Sequence, residues 1–232
     1  EVGSKPELLA VLAIHDTPSA LLLCNGYKDY EYIELALMAR KIDRRSVIIV
    51  EQLYELQMIL DVAAQHGIQA EIGLRMKPTT KGSGRWESSS GENAKFGLST
   101  QEIVTAINRL REAGKLDWLK LLHFHIGSQI TSIAALKSVL RETTRMYVEI
   151  AKQCPSICML DVGGGLGVDY DGSRSNFSSS MNYTTGEYAR DIVTAIGEAC
   201  DAEDIPHPDI ISESGRAIMA HHSVLITEAL DV

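Results

Sequence analysis

The sequence lacks the features that mark membrane proteins and nucleic-acid-binding proteins. No apolar run is long enough to span a bilayer, so we expect a soluble chain with no membrane partner. The 31 acidic residues outnumber the 22 lysines and arginines, which gives a net charge of -9. This charge disfavours nucleic acid as a partner, because phosphate binding needs clustered positive side chains.

Cysteine is also scarce, and its spacing fits none of the common cysteine-based sites. The four cysteines form no CxxC pair, and no histidine stands at zinc-site spacing from them. They are Cys24, Cys154, Cys158 and Cys200. A chain of 232 residues is long enough to bury a substantial core without a disulfide framework. We therefore expect reduced thiols and no metal site.

The sequence does contain a regular alternation of short apolar runs and amphipathic segments. The apolar runs cover residues 21–24, 47–51, 71–74, 120–125, 158–162 and 209–212. The helical patterns cover residues 4–15, 30–41, 53–66, 100–113, 133–152 and 185–202. This alternation is typical of a parallel sheet with buried strands and outer helices. A doubly wound sheet and a closed barrel both fit it.

The two ends of the chain favour the barrel. The chain begins at Glu1 rather than at a methionine and ends inside the apolar run 224–230, so we expect an internal fragment. A (β/α)8 TIM barrel has eight units in about 250 residues. We therefore predict an α/β fold, in which about six units remain of a barrel whose first two units are missing.

Two long polar stretches, 77–94 and 169–182, follow predicted strands directly. In a barrel, both would lie on the C-terminal face, where active sites form. The alternative is a pair of flexible surface loops. Because long loops in compact domains are usually functional or disordered, we favour a functional role.

Two histidines end one predicted strand and are followed by a tight turn. In HFHIGSQ, residues 123–129, strand alternation puts His123 and His125 on the same face. An imidazole there can stack on an aromatic ring, while Gly127 and Ser128 offer an N–H group and a hydroxyl to a phosphate. The alternative is a pair of core histidines that are hydrogen-bonded to the backbone.

Three successive glycines follow the next predicted strand. In DVGGGLG, residues 161–167, Gly163, Gly164 and Gly165 let the backbone turn and expose N–H groups that can bind phosphate. The stretch is not a GxGxxG fingerprint, and no Gly-Lys-Ser/Thr follows as in a P-loop. The alternative is a tight corner between strand and loop.

A carboxylate and an arginine follow the last predicted strand. In SESGR, residues 212–216, Glu213 can pair with a protonated ring nitrogen and Arg216 can hold a phosphate, although a surface salt bridge is the alternative. On one barrel rim, the three motifs fit a phosphorylated aromatic cation such as pyridoxal 5'-phosphate (PLP). A nearby carboxylate favours the protonated pyridine, which becomes an electron sink for reactions such as loss of CO2.

These stretches resemble those of the PLP decarboxylases of fold type III, which have an alanine-racemase-type barrel. The likeness runs over essentially the whole chain. It is strongest to biosynthetic arginine decarboxylases in CNGYKD (24–29), LLHFHIGSQ (121–129) and GGGLGVDYDG (163–172). It implies decarboxylation of L-arginine to agmatine for polyamine biosynthesis. It also implies a PLP-binding barrel over residues 1–222 and the start of a C-terminal β-domain over residues 223–232.

The resemblance also implies roles for individual residues. His125 would stack on the PLP ring, Glu213 would pair with the pyridine nitrogen, and Arg75 would support the cofactor. The phosphate would lie against Ser128, Gly163, Gly164, Gly165, Gly215 and Arg216. The family's Schiff-base lysine would precede Glu1 and its C-terminal cysteine would follow Val232. No catalytic residue is therefore assigned within the chain, and we expect the fragment alone to be inactive.

The same resemblance leaves alternatives open. Diaminopimelate and ornithine decarboxylases share the strand-end motifs, and a homologue without activity could regulate an active partner. The resemblance further implies a homodimer or a higher homo-oligomer, a Mg2+ requirement, and a cytoplasmic location, or a plastid location in a plant or alga.

Overall fold

The computed structural model describes residues 1–79, 96–223 and 225–228. Six parallel strands form one sheet in the order β1-β2-β3-β4-β5-β6. Their bounds are Leu22–Cys24 (β1), Ser46–Val50 (β2), Ile72–Met76 (β3), Leu119–Phe124 (β4), Met159–Asp161 (β5) and Asp209–Ile211 (β6). The strand order follows the chain order without a reversal, as it does in a barrel. A doubly wound sheet, whose order reverses at a switch point, is therefore excluded.

Helices precede, connect and follow the strands. They are α1 (Lys5–Ile14), α2 (Tyr30–Lys41), α3 (Leu53–His66), α4 (Thr100–Glu112), α5 (Ile133–Gln153), α6 (Thr185–Ala202) and α7 (Gly215–Met219), with a 3-10 helix at Leu116–Trp118. All six predicted helices are present, and none of their ends differs from its predicted position by more than one residue. The 3-10 helix and α7 are additional, because each is too short to show a helical period.

Local hydrogen bonds explain where these helices begin and end. At the start of α4, Ser99 Oγ accepts from the backbone N–H of Glu102, and the Glu102 carboxylate accepts from the backbone N–H of Ser99. Thr184 and Glu187 make the same reciprocal pair at the start of α6. Both pairs are capping boxes, which satisfy backbone N–H groups at the first turn of a helix. Gly67 ends α3 in the left-handed conformation, at φ 63°, as a C-cap glycine does.

Two apolar layers pack against the sheet, one on each face. The larger layer lies between strands and helices and includes Leu56, Ile72 and Leu122. The smaller layer lines the inside of the curled sheet. Its buried members are Leu23, Val47, Ile49, Leu121 and Met159. Side chains alternate between the faces of a strand, so the residue two positions after each inner apolar residue also points inward, near the carboxyl end of its strand.

The polar stretch 169–182 is held together by its own side chains. Ser180 Oγ donates to Asp169 Oδ1 at 2.6 Å, and Ser179 Oγ donates to Asp171 Oδ2 at 2.5 Å. The Gln129 side chain ties the start of the stretch to the loop after β4 by donating to the carbonyl oxygen of Val168 at 2.7 Å. This stretch follows β5 and therefore lies on the C-terminal face, as predicted.

Other predictions fall partly or wholly on residues that are not described. Of the polar stretch 77–94, residues 80–94 lie outside the described ranges, as do residue 224 and residues 229–232 at the predicted start of the β-domain. Within the described ranges, no helix is both long enough and apolar enough to cross a membrane.

Candidate functional site

A cavity of about 340 Å³ opens at the carboxyl ends of the strands. All the predicted site residues except Gly163 line it. They are Arg75, His125, Ser128, Gly164, Gly165, Glu213, Gly215 and Arg216. Three further lining residues were not predicted as site residues: Glu1, Asn25 and His123. The three strand-end motifs therefore converge on one cavity.

The imidazole of His125 is held by residues 163–165, the three glycines that turn the chain after β5 and that we call the glycine corner. The backbone N–H of Gly164 donates to His125 Nδ1 at 3.2 Å, so this ring nitrogen carries no proton. Burial, with the nearby charge of Arg75, lowers the pKa of His125 to about 4. The ring is therefore neutral at physiological pH, which suits a surface that packs against a flat cofactor.

The glycine corner needs glycine for two separate reasons. Gly163 and Gly165 have φ values of +69° and +95°, a region that side chains other than glycine rarely adopt. A Cβ at Gly163 would also collide with the carbonyl oxygen of Phe124, and one at Gly165 would collide with that of Gly127. Gly163 therefore shapes the corner from behind, while Gly164 and Gly165 face the cavity.

Arg216 joins the loops that follow β4, β5 and β6. It lies in α7, and its Nη2 donates to Ser128 Oγ at 3.0 Å while its Nη1 donates to Tyr170 Oη at 3.1 Å. The guanidinium is exposed at the cavity rim. A cation, a hydroxyl and the N–H groups of the glycine corner thus surround one part of the cavity, which is a suitable environment for a phosphate.

Glu213 presents an ionised carboxylate on the other side of the cavity. Its Oε1 accepts a hydrogen bond from Asn25 Nδ2 at 2.5 Å, and its Oε2 lies 3.5 Å from His123 Nε2. Burial opposes ionisation, but His123 and the Asn25 amide outweigh it and lower the pKa of Glu213. The Asn25 contact joins the ends of β1 and β6, 188 residues apart, and this requires the sheet to curl.

Arg75 lines the cavity at the end of β3, as predicted, and it is held by a buried carboxylate. Its Nη1 lies 2.9 Å from Glu51 Oε1, which also accepts from the backbone N–H of Gly26 at 3.1 Å. Its guanidinium carbon lies 6.0 Å from the centre of the Phe96 ring. The positive charge of Arg75 is therefore largely compensated within the site.

The polar residues that point into the curled sheet at the carboxyl ends of its strands share one spacing, which the motifs alone did not reveal. Each lies two residues beyond an inner position of its strand. They are Asn25, Glu51, Arg75, His123, Asp161 and Glu213. One ring nitrogen of His123 and one carboxylate oxygen each of Asp161 and Glu213 lie within 4.8 Å of one another. The motifs did not predict this cluster. This two-residue spacing becomes visible once the inner face of each strand is known.

The fold and the site together define a class of barrel proteins that hold a phosphorylated cofactor at the carboxyl ends of their strands. Residues 1–220 match the model of the pyridoxal binding domain of pyridoxal-dependent decarboxylases. The chain therefore belongs to the pyridoxal-dependent decarboxylases, and the family predicted from the motifs is confirmed.

Individual relatives agree with this assignment. The chain is 52% identical over 232 residues to a biosynthetic arginine decarboxylase of Thermosynechococcus vestitus, and 50% identical over 230 residues to one of Nostoc sp.. These matches cover 100% and 99% of this chain but 36% and 34% of the relatives. The chain thus spans about a third of the length of the curated relatives it matches.

Solved structures have the same fold. The biosynthetic arginine decarboxylase SpeA from Campylobacter jejuni superposes with a TM-score of 0.79 at 34% identity, over 92% of this chain and 34% of that one. A point mutant of diaminopimelate decarboxylase from Helicobacter pylori, complexed with L-lysine, gives 0.70 at 26% identity, over 93% and 50%. The predicted barrel of the PLP decarboxylases is therefore confirmed for the part of the chain that is described.

Proposed function

We propose that the full-length protein is a PLP-dependent enzyme that decarboxylates L-arginine to agmatine and CO2, a step of polyamine biosynthesis. The observation that carries this proposal is the identity of about half of all residues to arginine decarboxylases along the entire chain. The alternative, diaminopimelate decarboxylation, is supported by more distant structures, such as those at 26% and 24% identity.

The donor set of the cavity fits PLP. Arg216, Ser128 and the N–H groups of the glycine corner supply positive charge and donors for a phosphate. Glu213 supplies an ionised carboxylate for a protonated ring nitrogen, and His125 a neutral flat ring. Side chains at Gly163 or Gly165 would collide with the backbone of the neighbouring loop, so the corner admits no larger residue.

Each group has a separate part in the proposed reaction. When bound, PLP supplies an electron sink for the carbanion that remains after CO2 leaves. Glu213 holds the proton on the pyridine nitrogen and so keeps the ring electron-withdrawing. His125 orients the ring, and Arg216 with Ser128 anchors the phosphate, which keeps the reacting carbon in a fixed position.

Substrate comparison tests the proposed activity. The full-length protein with PLP should release CO2 from L-arginine with a kcat/KM far above that for ornithine or diaminopimelate, and agmatine should be the product. If diaminopimelate is preferred, the substrate assignment is wrong. If PLP binds but no amino acid is decarboxylated, an inactive regulatory homologue is the better interpretation.

The Glu213→Gln variant should lower kcat by about 10²–10³-fold, since an amide cannot stabilise the protonated pyridine. Gln keeps the size of the side chain and its bond to Asn25, so PLP affinity should change much less. The absorbance of bound PLP and steady-state rates on arginine measure both quantities. Equal rates for the variant and the wild type would contradict the role of Glu213.

The Arg216→Ala variant should weaken PLP binding by about 10- to 100-fold, the range expected when a charged hydrogen bond is lost. Equilibrium dialysis of the full-length protein measures the dissociation constant. Arg190→Ala is the matched control, because Arg190 is an exposed arginine on α6 that does not line the cavity. Similar affinities for the two variants would place the phosphate elsewhere.

Three further proposals rest on the resemblance to arginine decarboxylases. They are a homodimer or higher homo-oligomer, a requirement for Mg2+, and a location in the cytoplasm or, in a plant or alga, in a plastid. Light scattering, activity after chelation and fractionation of the source cells would test them in turn.

A further inference from the structure

Behind Glu213 lie two buried ionisable groups that the proposed reaction does not use. His123 is 1% exposed and Asp161 is fully buried. They are register partners on β4 and β5. One ring nitrogen of His123 and one carboxylate oxygen each of Asp161 and Glu213 lie within 4.8 Å of one another. Two carboxyl groups this close in a buried site cannot both be ionised without a large electrostatic cost.

The hydrogen bonds identify Glu213 as the ionised member. The Asn25 amide group is a donor, and it occupies Glu213 Oε1 at 2.5 Å. His123 Nε2 faces the other oxygen at 3.5 Å, where an N–H group would point at a carboxylate. Glu213 also borders the cavity, whereas Asp161 does not. A negative charge is therefore better placed on Glu213 than on Asp161.

The two oxygens of Asp161 have different surroundings, as those of a neutral carboxylic acid should. Oδ1 accepts from the backbone N–H of Gly163 at 2.8 Å. Among the described residues, Oδ2 has no hydrogen-bond partner although it is buried, and the same holds for both ring nitrogens of His123. An unpaired carboxylate oxygen in this position would cost more than an O–H group directed at its neighbours. Burial raises the pKa of Asp161, which agrees with this reading.

The other charged groups around the cluster do not change this balance. Arg75 on β3 is the register partner of His123, and its charge is compensated by Glu51. His125 is neutral, and Tyr188 of α6 is a further titratable neighbour of Asp161. Glu1 lines the cavity and accepts from the amide of Asn25 at 3.0 Å. A second negative charge at Asp161 would thus have no partner of its own apart from His123.

We propose that Asp161 is a positioning residue, kept as a neutral carboxylic acid, whose proton together with the N–H of His123 holds Glu213 as the carboxylate that faces the cavity. This inference rests on the proposed function, because the pyridine nitrogen is the group that Glu213 would meet. A bound cation is the competing explanation for the cluster. It is disfavoured because donors already occupy one oxygen of Glu213 and one of Asp161.

The experiment compares two variants, of which one keeps and the other removes the polar groups at position 161. Asp161→Asn keeps an acceptor for the N–H of Gly163 and replaces the O–H donor with an N–H donor, whereas Asp161→Val removes both. The readout is the ratio of dissociation constants for PLP and for 1-deazapyridoxal phosphate, in which carbon replaces the ring nitrogen. A merely structural role would weaken both ligands equally and leave this ratio unchanged.

In the full-length protein, the preference for PLP over its analogue should stay within about threefold of the wild type in Asp161→Asn, and it should fall by about tenfold or more in Asp161→Val. Infrared spectra give a second readout that does not depend on the ligand. The band of a protonated carboxylic acid should be present in the wild type and absent from Asp161→Asn, even if Asp161→Val fails to fold.

Three results would overturn the inference: a preference that falls for Asp161→Asn, a preference that stays constant for Asp161→Val, or one tightly bound metal ion per chain by elemental analysis. If the wild type binds neither PLP nor its analogue, the proposed function fails instead, and the infrared band still reports the protonation state of Asp161.

Discussion

Replacing Lys28 with methionine should lower the free energy of unfolding by about 3–5 kcal/mol, because it leaves a buried carboxylate without its cation. Lys28 and Glu55 are each 1% exposed, and Lys28 Nζ lies 3.6 Å from Glu55 Oε2. The ammonium also donates to the carbonyl oxygen of Gly26 at 2.7 Å. Burial lowers the pKa of Lys28 and raises that of Glu55, so each charge depends on the other.

Urea unfolding of the full-length protein measures this loss. The double variant Lys28→Met/Glu55→Gln should be more stable than Lys28→Met alone, because the uncompensated charge is gone while an acceptor remains for the backbone N–H of Glu51. Lys5→Met is the control for an exposed ion pair and should change stability little, since Lys5 meets Asp29 and Glu31 near solvent. A Lys28→Met variant as stable as Lys5→Met would contradict the prediction.

The Gly163→Ala variant should abolish high-affinity PLP binding and destabilise the fold more than the same substitution at Gly114. The two glycines have similar φ values, +69° and +64°, so each alanine meets a similar conformational strain of about 1–2 kcal/mol. At Gly114 no atom of the described part of the chain lies within 4 Å of an added Cβ. At Gly163 the Cβ would meet the Phe124 carbonyl and, at 3.1 Å, atoms of His125.

The difference in stability between these two variants separates the steric effect of the close approach of the two loops from the effect of backbone strain. We expect Gly163→Ala to lose about 1–3 kcal/mol more than Gly114→Ala, as overpacking does. Thermal unfolding and PLP titration measure the two effects. If both variants lose the same stability and both bind PLP normally, His125 does not depend on the glycine corner for its position.

The sequence predicted the helices well because their ends are encoded locally. The Ser99–Glu102 and Thr184–Glu187 pairs and Gly67 specify where the chain enters and leaves a helix, whatever the surroundings. Strand bounds were less accurate: β3 ends at Met76, whereas the apolar run 71–74 ends two residues earlier. An apolar run does not say which of its residues have a hydrogen-bonded neighbour in the sheet.

Some site residues were likewise predictable from local sequence, and others were not. His125, Glu213 and Arg216 stand in motifs whose residue types already suggest a cofactor, and their convergence on one cavity was predictable from parallel strands. Asn25 and Glu51 were not found, because their importance depends on which face of β1 and β2 is inside. Both faces of these strands are buried, so no polar–apolar alternation distinguishes the two.

The inner apolar layer has a practical consequence. Leu23, Val47, Ile49, Leu121 and Met159 fill the interior below the polar positions and close the floor of the cavity. Molecules can therefore reach the cavity from the carboxyl ends of the strands, where it opens, and not through this layer. Turns at the amino ends of the strands, such as those at Gly114 and Asp204, are consequently suitable places to attach a fluorophore or an affinity tag without blocking access to the cavity.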